Sequence, residues 1–172
     1  MRSLYLFVSL LVFLFDRWSK VRVVEHISLG ESIPIIRNFI HLTHSQNPGI
    51  AFGLFGINPS PLQSWILIGL SLVAIGVVAT LAWRYPAEKA GLQISFALIL
   101  GGAAGNLWDR IFSGQVTDFI DVFFHDHHWP VFNVADSAIS VGVVGLAIAL
   151  FLFDKHESEE KSRERERQAH HS

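Results

Sequence analysis

The 172-residue chain has no cysteine and a single methionine. The missing cysteine excludes disulfides, thiol nucleophiles and cysteine-ligated zinc. Charge is scarce as well. Asp, Glu, Lys and Arg make up 16% of the residues, against about 25% in an ordinary soluble domain. What charge there is lies unevenly, since residues 154–172 hold 11 of those 28 side chains. Residues 1–153 are therefore unusually apolar. A formal net charge of −2 offers no basic surface for nucleic acid. Two catalytic signatures are absent too: no Gly-x-Ser-x-Gly marks a serine nucleophile, and no His-Glu-x-x-His marks a zinc helix.

What fills the chain is hydrocarbon. It is 51% hydrophobic with mean hydropathy +0.40, and carries five Trp and fourteen Phe, the material of interfacial aromatic belts. Leu4–Phe15 is a twelve-residue apolar run. No Ala-x-Ala-like site follows it, as a cleaved signal peptide requires. Twelve residues fall short of the roughly 20 that span a bilayer, so the helix is expected to continue through Asp16 to about Lys20. Leu62–Trp83 has no charge, residues 90–108 contain only the amides Gln93 and Asn106 as strongly polar groups, and residues 136–153 form a last apolar run. These predict four transmembrane helices, about 4–20, 62–83, 90–108 and 136–153, within a single membrane domain 1–153. Residues 21–61 are too polar to span. Ser32–Ile36 and Asn38–Thr43 are rich in β-branched and aromatic residues, so a small β-rich lobe is expected there. The fold class is a mainly α membrane protein with that lobe on one side. Residues 154–172 read as a charged, solvated tail. Arg84, Lys89 and the basic residues of the tail mark the side of both termini as cytoplasmic, although Arg17, Lys20, Arg22 and Arg37 fall on the other.

The stretch from Gly101 to Asp136 organises the rest. Small residues, Gly101-Gly102-Ala103-Ala104-Gly105, let helix backbones approach closely and leave room for a substrate helix or lipid. Asp109, Asp118, Asp121 and Asp136 then gather at the outer end of the spans with Asn106 and Asn133. Polar groups placed there are costly and are functional candidates. Asp109 beside Arg110 reads as an ion pair, and Asp136 reads as the N-cap of the last helix. Asp118 and Asp121 share a face if their segment is helical. Two close carboxylates share a proton, so one can activate water while the other protonates the leaving group. Acid–base hydrolysis at the membrane is one reading. The others are a small transporter with acidic ligands, a metal-dependent hydrolase using His41, His44 and the His125-Asp126-His127-His128 run, and a scaffold without catalysis.

Five motifs in order narrow the choice: Asp16-x-x-x-Lys20, Asn47-Pro48-Gly49-Ile50-Ala51-Phe52, Gly101 to Arg110, Val116-Thr117-Asp118-Phe119 and Phe132-Asn133-Val134-Ala135-Asp136. Together they resemble the bacterial lipoprotein signal peptidases, signal peptidase II. The resemblance implies an aspartic endopeptidase of the bacterial inner membrane, with both termini cytoplasmic and the active site near the periplasmic face. It implies Asp118 and Asp136 as the catalytic pair, supported by Asp16, Lys20, Asn47, Asn106, Asp109, Arg110 and Asn133, with no metal and no cofactor. The implied substrate is a prolipoprotein whose lipobox cysteine carries diacylglycerol, cut before that cysteine. Membrane lipids are the other expected partner, and the expected state is a monomer. The Asn47 loop and the apolar 50–55 segment are expected to act as a lid or membrane-embedded arm.

Overall fold

The structure is a computed structural model that describes residues 2–49 and 61–170, the stretch 153–170 by its backbone alone. Four long helices and one small antiparallel sheet make up the described residues. The helices are α1 (Arg2–His26), α2 (Pro61–Arg84), α3 (Ala90–Phe112) and α4 (Val134–His170). Three of them are long and apolar enough to cross a membrane: α2, α3 and the Val134–Leu152 part of α4. α1 has the length, about 37 Å at 1.5 Å per residue. Its second half, however, carries Asp16, Arg17 and Lys20, and the helix runs on through residues 21–26 before the sheet begins. α4 likewise continues past its apolar part, so the charged 154–170 stretch is helical in backbone.

The start of α1 meets the end of α2: Arg2 donates to the Trp83 carbonyl and Tyr5 to the Ala87 carbonyl. At the same end Ala149 of α4 lies against Gly91 of α3. The helices therefore alternate in direction. α3 is the centre, since α1, α2 and α4 all pack on it, while α1 and α2 meet through side chains at their ends and not by close backbone packing.

Glycine makes that centre possible. A Cβ on Gly101 would stand 2.5 Å from the Ser9 carbonyl of α1, and one on Gly105 would stand 2.5 Å from Asp16 Oδ2. Gly102 meets the Ala135 carbonyl of α4 in the same way. This corrects the expectation that the small-residue run leaves room for a substrate. Its glycines are occupied by the chain's own helices, on two faces of α3.

The sheet has the order β1-β2-β3-β4: β1 Ser32–Ile36, β2 Ile40–Asn47, β3 Val116–Phe124 and β4 His127–His128. It is not built from residues 21–61 alone, because half of it comes from the α3–α4 connection. The segment holding Asp118 and Asp121 is strand, not helix. Neighbours three apart on a strand point to opposite faces, and the two acids part accordingly. Val23 and Ile27 pack with Phe119, flanked by Leu42, Ile120 and Val134, and so fasten the sheet to the bundle.

Candidate active site

The site forms where the second half of α1, the end of α3, β3 and the start of α4 converge. Its base is ionic and dry. Lys20 and Asp16 are at most 1% exposed and Asp109 is 2% exposed. Buried charges are tolerated only when every donor and acceptor is met. Here the Lys20 ammonium has three N–H bonds to give and three acceptors at hand. Asp16 Oδ2 lies at 2.8 Å, Asp109 Oδ2 at 2.8 Å and Asn106 Oδ1 at 2.9 Å. Arg17 pairs with the other oxygen of Asp109, so two carboxylates face two cations. Asp16 Oδ1 accepts the Ala135 N–H at 2.9 Å, which ties α1 to the first turn of α4. The expected Asp109–Arg110 pair is therefore corrected: Asp109 faces Lys20 and Arg17.

Lys20 also sets the orientation of Asn106. An ammonium only donates, so the amide oxygen must face it and the amide nitrogen must face away. That nitrogen donates to Asp136 Oδ1 at 2.7 Å. Charge at the base thus fixes the donor presented to Asp136, through one side chain.

Asn133 is the hub. Its Nδ2 donates to Asp118 Oδ1 at 2.7 Å and contacts Asn106 Oδ1 at 3.2 Å and the Thr117 carbonyl at 3.3 Å. Its backbone N–H reaches Asp136 Oδ2 at 3.2 Å, and the Asp136 N–H returns to Asn133 Oδ1 at 2.9 Å. This reciprocal pair is a capping box. The N-cap of α4 is Asn133, and Asp136 is the third residue of the helix, which corrects the N-cap assignment of Asp136. Asn133 is held in turn by β3: the Phe132 carbonyl accepts from the Phe119 and Ile120 N–H groups. Asp118 and Asp136, 18 residues apart in sequence, are so joined through one amide.

Asp118 is 3% exposed. Its Oδ2 accepts Asn47 Nδ2 at 2.9 Å from the end of β2. The register pairs Ser45 with Asp118 and Asn47 with Val116, which sets Asn47 on the diagonal. The Asn47 oxygen accepts the Gly49 N–H at 2.9 Å, a turn that fixes the amide. Burial pushes the Asp118 carboxyl up to about 6, from an ordinary value of 3.8. The Asn47 and Asn133 N–H bonds and the Lys20 charge pull against the rise, and the Asp136 charge adds to it. Arg110 donates to the Asn106 carbonyl at 3.4 Å, and its charge acts on Asp136, Asp118 and Asp109.

All nine residues singled out in the sequence thus belong to one network. Asp121 does not: it pairs with His128, at 2.9 Å. The histidines serve other contacts. His44 Nδ1 bonds the Ile27 carbonyl at 2.8 Å, and His41 packs edge-on against Phe123. Among the described residues no group of three or more acids and histidines is placed to hold a metal. The proposed lid, 50–55, lies outside the described residues. Arg17, Thr117 and Ala135 were not singled out for the network. Arg17 meets Asp109 across 92 positions, a distance no local pattern reports. An acid with a raised pKa, a second acid linked through an amide and a shell of fixed donors is an arrangement that can bind water, take a proton from it and return one to a leaving group.

Comparison with known proteins agrees in extent as well as kind. The family model for Signal peptidase (SPase) II matches residues 8–152. A Lipoprotein signal peptidase of Desulforapulum autotrophicum is 44% identical over 138 residues, covering 80% of this chain and 85% of the relative. One from Syntrophus aciditrophicus is 39% identical over 145 residues, covering 84% and 90%. Two bacterial membrane enzymes solved by the in meso method share the fold. One has a TM-score of 0.77 at 26% identity, covering 87% of this chain and 88% of that one, and the other has 0.76 at 27%, covering 86% and 92%.

Proposed function

The chain belongs to the signal peptidase II family and is an aspartic peptidase that removes signal peptides from prolipoproteins; we propose that Asp118 and Asp136 carry the reaction, on a substrate whose lipobox cysteine already bears diacylglycerol. The observation that carries the assignment is the Asn133 hub, which bonds both acids at once. In this reading one carboxylate takes a proton from water as the water oxygen attacks the carbonyl carbon before the cysteine. The C–N bond then breaks, and the other carboxylic acid supplies the proton that the departing amine needs. The products are a signal peptide with a free carboxylate and a cysteine with a free amino group. Asp118, whose burial favours the neutral form, is the member that holds the shared proton. Lys20, Asp16 and Asp109 act through Asn106 and position Asp136, while Asn47 positions Asp118.

The membrane placement follows the same reading. We take α1 as a fourth span, its apolar 4–15 half in the bilayer and its charged half at the interface. Exposed tryptophans stand at both ends of the bundle, Trp83 at one and Trp18 and Trp129 at the other, where amphipathic rings belong. Arg84 and Lys89 set the Trp83 end in the cytoplasm of a bacterial inner membrane, and the acids then face the periplasm. A diacylated residue can be presented only from the bilayer, which suits a site at the interface. The purified chain in phospholipid vesicles is expected to cleave a diacylated prolipoprotein and to cleave the unlipidated precursor at least about a hundredfold more slowly in kcat/KM, because remote binding energy is used at the reacting centre. Equal rates on both forms would contradict the role given to the lipid.

A further inference from the structure

A cavity lies at the end of the bundle away from the acids. Because α1 and α2 both lean on α3 without packing backbone to backbone on each other, a cleft of about 200 Å³ opens between them. Leu6, Ala79, Phe96 and Leu100 line it. The polar side chains along it are turned onto carbonyls. Tyr5 bonds Ala87, Ser9 bonds Ala97 at 2.9 Å, and Gln93 bonds Ala82 at 3.0 Å. Inside, the cleft therefore offers an occupant only hydrocarbon. The mouth is different. Arg2 lies over the Trp83 ring, 4.2 Å from its centroid, and spends one N–H on the Trp83 carbonyl. A guanidinium has five N–H donors, and no carboxylate pairs with this one among the described residues.

An occupant that matches both parts is apolar within and anionic at the rim. We propose that this cleft binds an acyl chain of an anionic membrane phospholipid, whose phosphate is held by the Arg2 guanidinium. The proposal rests on the membrane reading given above. A basic pocket between spans, at headgroup level, is the setting in which anionic lipids are recognised. The signal peptide of a substrate is the wrong partner here, because its leading segment is positively charged and would meet Arg2 as a like charge. The bound lipid would brace α2, which has no buried residue of its own and packs closely along no helix except α3.

The test uses the full chain, delipidated in detergent, with phosphatidylglycerol or phosphatidylcholine added. Bound lipid is counted by native mass spectrometry, and the thermal midpoint is followed alongside. The chain is expected to prefer phosphatidylglycerol by about fivefold, the size of one basic contact to an anionic headgroup, and to gain thermal stability with it. Arg2→Gln should bring the preference close to one. Ala79→Phe, which fills the cleft and leaves Arg2 in place, should lose the bound lipid. Neither change should alter the cleavage rate at saturating substrate, since both lie at the far end from the acids. Equal binding of the two lipids by the unaltered chain, or a preference that survives both substitutions, would overturn the proposal. Flotation with vesicles separates the two levels: a chain that floats yet shows no preference retains the membrane reading and loses this site.

Discussion

Asp118 accepts N–H bonds on both oxygens, yet burial outweighs them and its carboxyl is pushed up to about 6. That shift has a consequence for stability. In the unfolded chain the group ionises near 3.8; folded, it holds its proton longer. The stabilisation from the protonated form is complete below that value and is lost as pH rises through about 6. A shift of this size corresponds to about 3 kcal/mol. Asp118→Asn cannot ionise, so the variant should gain on the unaltered protein as pH rises from 4 to 7, read as a growing difference in thermal midpoint in detergent. A difference that stays flat with pH would contradict the buried, proton-holding role. At this scale much of the site was legible in the sequence, because Asp16, Lys20, Asn106 and Asn133 are polar where hydrocarbon is expected. The partners were less so. Asp109 has Arg110 as its neighbour in sequence but Lys20 and Arg17 as its neighbours in space. The Asn133–Asp136 capping box escaped notice because the aspartate itself looks like a cap.

The elements bring these residues together through a few close approaches. α3 and α1 meet where Gly105 faces Asp16, with no room for a side chain. Gly105→Ala would press a methyl group on a buried carboxylate that is already bonded to Lys20 and Ala135. Overpacking of this kind costs about 1–3 kcal/mol. We expect a lower thermal midpoint and, because Asp16 and Lys20 orient Asn106, a lower kcat. Gly76→Ala on α2, where a Cβ would meet nothing, is the control. An unchanged Gly105→Ala would mean that the packing is looser than described. The helices were readable as long apolar runs, and β1 and β2 as β-branched clusters. β3 was not, for a physical reason: it is buried on both faces over most of its length, so it lacks the alternation that marks a half-exposed strand. Its two aspartates, three apart, imitate a helical face.

Arg84 and Lys89 lie at one end of the bundle, and Asp118 and Asp136 at the other; both placements can be checked. The chain has no cysteine, so single cysteines introduced at Glu31 and Glu88 report cleanly. They should label from opposite sides of the membrane in spheroplasts, Glu31 from outside. Labelling of both from one side would remove the alternating spans. What the sequence could not convey at this scale is that the sheet is assembled from two distant connections, since only the pairing of β2 with β3 carries Asn47 to Asp118. The central claim is that this assembly makes one unit of Asp118 and Asp136, and single-turnover cleavage of a diacylated prolipoprotein in vesicles tests it directly. Asp118→Asn and Asp136→Asn keep size and one accepting oxygen, turn the other acceptor into a donor, and cannot pass a proton. Each should slow the chemical step by about a thousandfold or more, and the double variant little further, because residues that act as a unit are not additive. Asp121→Asn, whose partner is His128, should stay within about threefold of the unaltered rate, as expected of a group outside the unit. Substantial turnover by either single variant, or losses that multiply in the double variant, would contradict the account.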